Sequence, residues 1–212
     1  MFTVRDDETE PQQEQQLEKQ QHSGKSSTKS DLHDFNLICL KENNRLRSLH
    51  NCPKLKLSRK LMKSAKIHSE YLREQRQLQH RPDFKCGQNM ALIIGQQEFK
   101  VAGLNAVQAW YKQSENYDYK EHSQESRGYF TQMIWKQTSK VGFGFTFAET
   151  GNIVFVVGHY SPPGNKSGEY QVNVPPQVEA NELVIKSHRS KVTHTQPKHP
   201  KNNCPSGQCV II

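Results

Sequence analysis

Apolar residues are almost missing from the first thirty positions, which are built mainly from Gln, Glu, Ser and Lys. Such a stretch buries too little surface to offset its ordering entropy, so residues 1–30 are expected to be disordered. A pattern begins at Asp31. Leu32, Phe35, Cys39, Leu46 and Leu49 recur at roughly helical spacing, which predicts a helix with Ser30 or Asp31 as N-cap, broken by Pro53. A second helix opens after Ser58, with Leu61, Met62, Ala65, His68 and Leu72 on one side. A third fits Asn105 to Tyr117, with Val107, Trp110 and Tyr111 as its apolar face, and Phe130, Met133 and Ile134 indicate a short fourth. The period then changes to two. Val141, Phe143, Phe145 and Phe147 alternate, Glu149-Thr150-Gly151-Asn152 can turn the chain, and IVFVVGHY returns. That is an antiparallel hairpin whose second strand is apolar enough to need cover on both faces. CGQNMALI, from Cys86, is a third strand candidate. Helices flanking a small, mainly antiparallel sheet predict an α/β fold, a three-layer α-β-α sandwich over residues 31–176. From 177 to 212 the patterning is lost again, and a polar, basic tether is expected.

Composition agrees with one folded unit and two polar ends. The chain has 212 residues, of which 33% are apolar, and its mean hydropathy is −0.89; part of it is therefore expected to lack order. No run approaches the roughly 20 apolar residues that span a bilayer. MFTVRDDETEPQQEQQ has no basic segment followed by an apolar one, so it does not read as a signal peptide. Five cysteines in no regular framework favour free thiols and a reducing compartment, and the sequon at Asn165 is then read as accidental. The net charge of +8 is densest at one end. Residues 183–212 hold Lys186, Arg189, Lys191, Lys198 and Lys201 and no acid, a distribution suited to an anionic surface.

The candidate chemistry comes from four segments in order. YFTQMIWKQTSKVGFG at Tyr129, HYSPPGN at His159, NNRLRSLHNCPKLKLSRKLMKSA at Asn43 and CGQN at Cys86 together resemble the CAP superfamily, the cysteine-rich secretory, antigen 5 and pathogenesis-related proteins. In style the chain is nearest to the family's Golgi-associated branch, which is intracellular, membrane-bound and without a cysteine-rich extension. The resemblance implies an α-β-α sandwich, the architecture that the residue pattern predicts independently. It also implies a cavity holding two His and two acids, a set able to bind a divalent metal. Carried over by position, those four fall on His50, Gln88, Gln113 and Tyr129, so three of the four depart. Gln keeps the hydrogen-bonding capacity of Glu without its charge, and a phenol is a poor metal ligand at neutral pH. No metal, cofactor or catalytic residue is therefore expected. Glu115 does not replace Gln113, because two residues on a helix turn the side chain by about 200°. His159, ending an apolar strand beside Tyr160, reads as a surface or satisfied core residue, and the chain shows no phosphate loop, CxxC pair or serine elbow.

The last four residues, Cys209 to Ile212, spell CVII, the form of a prenylation signal, with the final Ile favouring geranylgeranyl. Cys204 is a candidate palmitoylation site, and the five basic residues upstream supply the second signal that a single lipid needs. The sequence thus predicts a non-catalytic, membrane-tethered lipid- or protein-interaction module on the cytoplasmic face of an endomembrane, Golgi or plasma membrane. The partners implied are anionic lipids or sterol, a protein, or a second copy in a homodimer. Nucleic acid is excluded, because the basic tail lacks interleaved aromatics or a reading motif. Two rivals remain: a secreted, extracellular defence or venom-type protein, if translation starts elsewhere, and a metal-dependent hydrolase, which needs four cavity groups where the sequence supplies one.

Overall fold

A capping box opens the first helix. The Thr28 hydroxyl accepts from the Asp31 N–H at 3.1 Å, and the Asp31 carboxylate accepts from the Thr28 N–H at 2.9 Å. The cap is therefore Thr28 rather than Ser30 or Asp31, since an acid at the third helical position can reach back. The computed structural model describes residues 28–96, 98–115, 117–120, 128–178 and 208–210, the last three by their backbone. Its helices are α1 (Lys29–Leu49), α2 (Arg59–Gln75), α3 (Phe99–Lys112), α4 (Gly128–Ile134) and the single turn α5 (Tyr170–Asn173). α3 begins and ends earlier than the expected Asn105 to Tyr117. Its first buried positions are Ala102, Gly103 and Ala106, small residues that carry close packing without a hydropathy signal.

The strands are β1 (Lys56–Leu57), β2 (Gly87–Ile94), β3 (Lys140–Phe147), β4 (Ile153–Ser161) and β5 (Gln208–Val210), in the order β1-β3-β4-β2-β5. β1 runs parallel to β3, and the remaining pairs are antiparallel. The expected hairpin is β3–β4, with Phe143 opposite Gly158 and Val141 opposite Tyr160. β1 is too short to show in the sequence pattern. β5 lies in the stretch expected to be a tether; its backbone pairs Val210, Cys209 and Gln208 with Leu92, Ile93 and Ile94. Residues 179–207, with Lys186, Arg189, Lys191, Lys198, Lys201 and Cys204, and residues 211–212 lie outside the described residues, as do residues 1–27.

The alternation in β3 builds the three layers. Val141, Phe143, Phe145 and Phe147 join the main core with Phe35, Leu46, Trp110 and Phe130 from α1, α3 and α4. On the opposite side stand Gly142 and Gly144, where any Cβ would collide with the α2 backbone at Leu61–Met62 and Ala65–Lys66. Glycine at these two places lets α2 lie directly on the sheet. On its β1 side, β3 has no strand neighbour beyond Val141 among the described residues, and side chains take over: Asn36 bonds both the Phe143 N–H (2.7 Å) and C=O (2.8 Å), and Lys66 Nζ reaches Phe145 O at 3.0 Å. The edge is thereby closed to further pairing. Trp110 and Trp135 are both fully buried, as their positions in the pattern imply, and the Trp110 indole donates to Met90 O at 2.8 Å.

A row of hydrogen bonds fastens α2 to β4 and to the segment between α2 and β2. Ser64 Oγ lies 2.8 Å from His159 Nδ1, His159 Nε2 lies 3.0 Å from His68 Nδ1, and His68 Nε2 lies 2.9 Å from Gln79 O. A carbonyl can only accept, so His68 carries its proton on Nε2. Its Nδ1 then accepts from His159 Nε2–H, and His159 Nδ1 is left to accept from Ser64. His159 is thus a satisfied core histidine. Burial, reinforced by His68, pulls its pKa down to about 3, and burial also lowers that of His68.

Two outcomes follow from this packing. Trp110→Ala should cost about 3–5 kcal/mol in chemical denaturation, a large share of a domain's stability; near wild-type unfolding would contradict the placement of α3. The histidine row makes folding sensitive to acid. Unfolded imidazoles protonate near pH 6.5, whereas the fold holds both neutral, so this contribution is complete above about pH 6.5 and drains away as pH falls toward the lowered folded values. Each imidazole kept neutral should subtract about 1.4 kcal/mol per pH unit below that point. The pH slope of urea midpoints should flatten in a His68→Asn/His159→Gln variant, and an unchanged slope would contradict the assignment.

Candidate functional site

Of the four residues carried over as the cavity set, His50, Gln113 and Tyr129 sit at the ends of helices. His50 is the C-cap of α1, its N–H bonded to Arg47 O at 3.1 Å, and the left-handed Asn51 (φ 51°) turns the chain away behind it. Its imidazole is fully buried. Nδ1 lies 2.7 Å from Pro175 O and Nε2 lies 2.9 Å from the Tyr111 hydroxyl. Pro175 O can only accept, so Nδ1 carries the proton and Nε2 accepts from Tyr111, whose oxygen in turn accepts from Gln177 at 2.8 Å. Burial lowers the His50 pKa, and the rings of Tyr111 and Phe130 close over it at 5.8 and 5.5 Å.

Gln113 and Tyr129 meet through the backbone. Gln113 is the C-cap residue of α3, and its Oε1 accepts from the N–H groups of Tyr129 and Phe130 at 3.0 and 3.2 Å. It therefore satisfies two donors in the first turn of α4, a task that needs an acceptor but no charge. The Tyr129 phenol is pushed up to about 12 by burial and stays protonated; its ring stands 6.5 Å from Trp110 and 6.4 Å from His80. Gln88 is turned elsewhere. It lies opposite His159 in the β2–β4 register, and its amide pairs with both Arg81 backbone groups, at 2.7 and 3.0 Å. Next along the strand, Asn89 points the other way and donates to Tyr129 O at 2.9 Å, leaving its buried Oδ1 without a protein partner.

A divalent metal needs lone pairs that converge on one point. Here both His50 nitrogens are engaged, the phenol keeps its proton, and the two amide oxygens accept backbone N–H groups; this set does not fit a zinc ion. Among the described residues no group of three His, Cys, Asp or Glu is placed to hold a metal, and Glu115 is exposed. The site also has members beyond the four carried over by position: Tyr111, Asn89 and His80, which hydrogen-bonds Gln88. Tyr111 lies in the WYKQ stretch that carries Gln113, and Asn89 lies in the CGQN motif, so a signal for both is present in the sequence. His80 has none, because its place depends on how the segment between α2 and β2 folds back.

Comparisons with known proteins identify the family and the fold. Residues 40–160 match the family described as "CAP: Cysteine-rich secretory protein family". The chain is 36% identical over 159 residues to human Golgi-associated plant pathogenesis-related protein 1, covering 72% of this chain and 97% of that one. It is 32% identical over 145 residues to a probable pathogenesis-related protein of Candida albicans, covering 67% of each. Among solved structures, the Schistosoma mansoni venom allergen-like protein 4 superposes with a TM-score of 0.54 at 17% identity, over 70% of this chain and 97% of that one. The chain belongs to the CAP, or cysteine-rich secretory protein, family.

Proposed function

We propose that this CAP domain works as a membrane-tethered interaction module whose site at His50, Gln113 and Tyr129 binds rather than catalyses, with Gln88 set apart on the other face of the sheet. The observation that carries this reading is the engagement of the cavity groups with one another and with backbone, all in neutral form. Such a set offers hydrogen bonds and aromatic surface but neither a charged base nor a metal. Anionic lipids, a sterol, a protein or a second copy of the chain are the ligand classes in this reading, without cofactor or nucleic acid.

The Golgi association named for the human relative supports an endomembrane setting, and the cytoplasmic face is the side where free thiols persist. Cys39, Cys52 and Cys86 are free. No helix among the described residues is long and apolar enough to cross a membrane. In this reading the attachment runs through a prenyl chain on Cys209, with Cys204 as a second lipid site. Lys186, Arg189, Lys191, Lys198 and Lys201 each add up to about 1 kcal/mol near an anionic leaflet. Prenylation would require the Cys209–Ile93 backbone pair to open.

Fractionation of cells expressing the chain with an amino-terminal tag tests the tether. Cys209→Ser should move the protein to the soluble fraction. Neutralising the five basic residues should weaken attachment and reduce its salt sensitivity, while Cys204→Ser should have a smaller effect. If Cys209→Ser stays as membrane-bound as wild type, attachment lies in the domain itself and the tether is wrong.

A further inference from the structure

The face of the sheet away from His50 carries a second polar assembly, in which a serine hydroxyl meets a pair of histidines. With the carbonyl of Gln79 fixing the direction of the row, the proton of Ser64 Oγ is aimed at the lone pair of His159 Nδ1, 2.8 Å away, while His159 Nε2–H is held by His68 at 3.0 Å. Hydroxyl, base and a group that orients the base are the three parts that make a serine nucleophilic. Leu61 O, 3.0 Å from the same hydroxyl, competes for its proton.

Ser64 is half-buried and helps to line a groove of about 300 Å³ with Lys60, Leu61, Asp83, Phe84, Lys85 and Cys86. Leu61 and Phe84, whose ring lies 5.0 Å from that of His159, give the groove an apolar wall. Two lysines, Lys60 and Lys85, and one acid, Asp83, complete its lining. The other nucleophile, Cys86, is pushed up to about 11 by burial and remains a thiol at neutral pH.

We propose that Ser64 is an acyl-accepting nucleophile, with His159 as its general base and His68 positioning His159, acting on short-chain carboxylic esters that enter this groove. As the bond from Ser64 Oγ to the carbonyl carbon forms, the hydroxyl proton passes to His159 Nδ1. The ester C–O bond then breaks, and the departing alkoxide takes that proton. Water adds to the acyl-serine and gives a proton to Nδ1; the bond to Oγ breaks and Ser64 is reprotonated. Nothing is oxidised or reduced. Lys60 and Lys85 are the groove cations available to the developing oxyanion. A neutral imidazole behind His159 stabilises the imidazolium less than a carboxylate does, and burial weakens His159 as a base, so turnover is slow. This activity is separate from the binding role of the His50 cavity and does not depend on it.

A fluorophosphonate probe, which forms an Oγ–P bond and releases fluoride, tests the proposal on the purified full chain. Intact mass and peptide mapping should show one adduct, on Ser64, with none on Ser64→Ala. Labelling and p-nitrophenyl acetate hydrolysis should both slow about 100-fold or more in His159→Gln. His68→Asn keeps an acceptor for His159 Nε2–H and should retain most of the rate, whereas His68→Leu should lose it; a merely structural His68 would give equal rates in the folded variants. If Ser64→Ala fails to fold, Ser64→Cys places a thiol beside His159. That variant should hydrolyse p-nitrophenyl acetate through a thioester that peptide mapping finds at the substituted position. Absence of an adduct on folded wild type, an adduct mapped elsewhere, or equal labelling of Ser64→Ala would each overturn the assignment.

Discussion

A guanidinium buried without a carboxylate joins the parts of this domain. Arg47, near the end of α1, is fully buried. It donates to Pro53 O, Met133 O, Trp135 O and Thr138 O at 2.8, 2.8, 2.9 and 3.2 Å. No ion pair to it is formed among the described residues. Four carbonyl dipoles replace its water, and they come from the loop after α1, the end of α4 and the turn leading into β3. His50 follows three residues later at the helix cap, and Tyr129 opens the helix whose last carbonyls Arg47 holds. The separation between α1 and α4, and with it the shape of the cavity, depends on this one side chain. Removing it would leave the buried carbonyls of Met133 and Thr138 short of this donor, each worth about 1–3 kcal/mol.

The same demand, that buried polar groups be satisfied inside the protein, explains the histidines and the amides. His50, His68 and His159 are each given an acceptor on one nitrogen and a donor on the other, the pattern of a neutral imidazole. Gln113 caps α4 as an acceptor, a task a carboxylate could also perform, whereas Gln88 both accepts from and donates to the Arg81 backbone, which needs an amide. These positions thus form hydrogen bonds without carrying a charge. The two faces of the sheet consequently differ in character. One holds the neutral, hydrogen-bonded His50–Tyr111 and Gln113–Tyr129 contacts; the other holds a directed row of hydrogen bonds that reaches a groove.

Much of the frame is legible in the sequence because it is periodic. The alternation from Val141 to Phe147 predicts the hairpin and its buried face, and helical spacing locates α1, α2 and α4. The four ordered motifs point to the family and to the cavity positions. What escapes has no period. Asn36 completes the edge of β3 at Phe143, 107 positions away, and no local feature of a helical Asn announces that. Arg47 looks like any solvent-facing base on an amphipathic helix until its carbonyl partners are in place. Thr28 is hidden as a cap because its partner Asp31 has the chemistry of a cap itself. The start of α3 is silent because Ala and Gly carry its contact with α1. The Ser64–His159–His68 row is hidden for a further reason: its members lie on two elements far apart in sequence, and its direction is set by a backbone carbonyl.

Neutrality of the family cavity is the point on which the functional reading turns, and zinc titration examines it most directly. Isothermal calorimetry on the purified chain and on His50→Ala should give the same weak, nonspecific heat. The side chains of His50, Gln88 and Gln113 are already engaged in protein hydrogen bonds and the Tyr129 phenol keeps its proton, so the four do not converge on an ion. Binding at micromolar affinity or tighter that disappears with His50→Ala would contradict this, and would restore the cavity as a metal site.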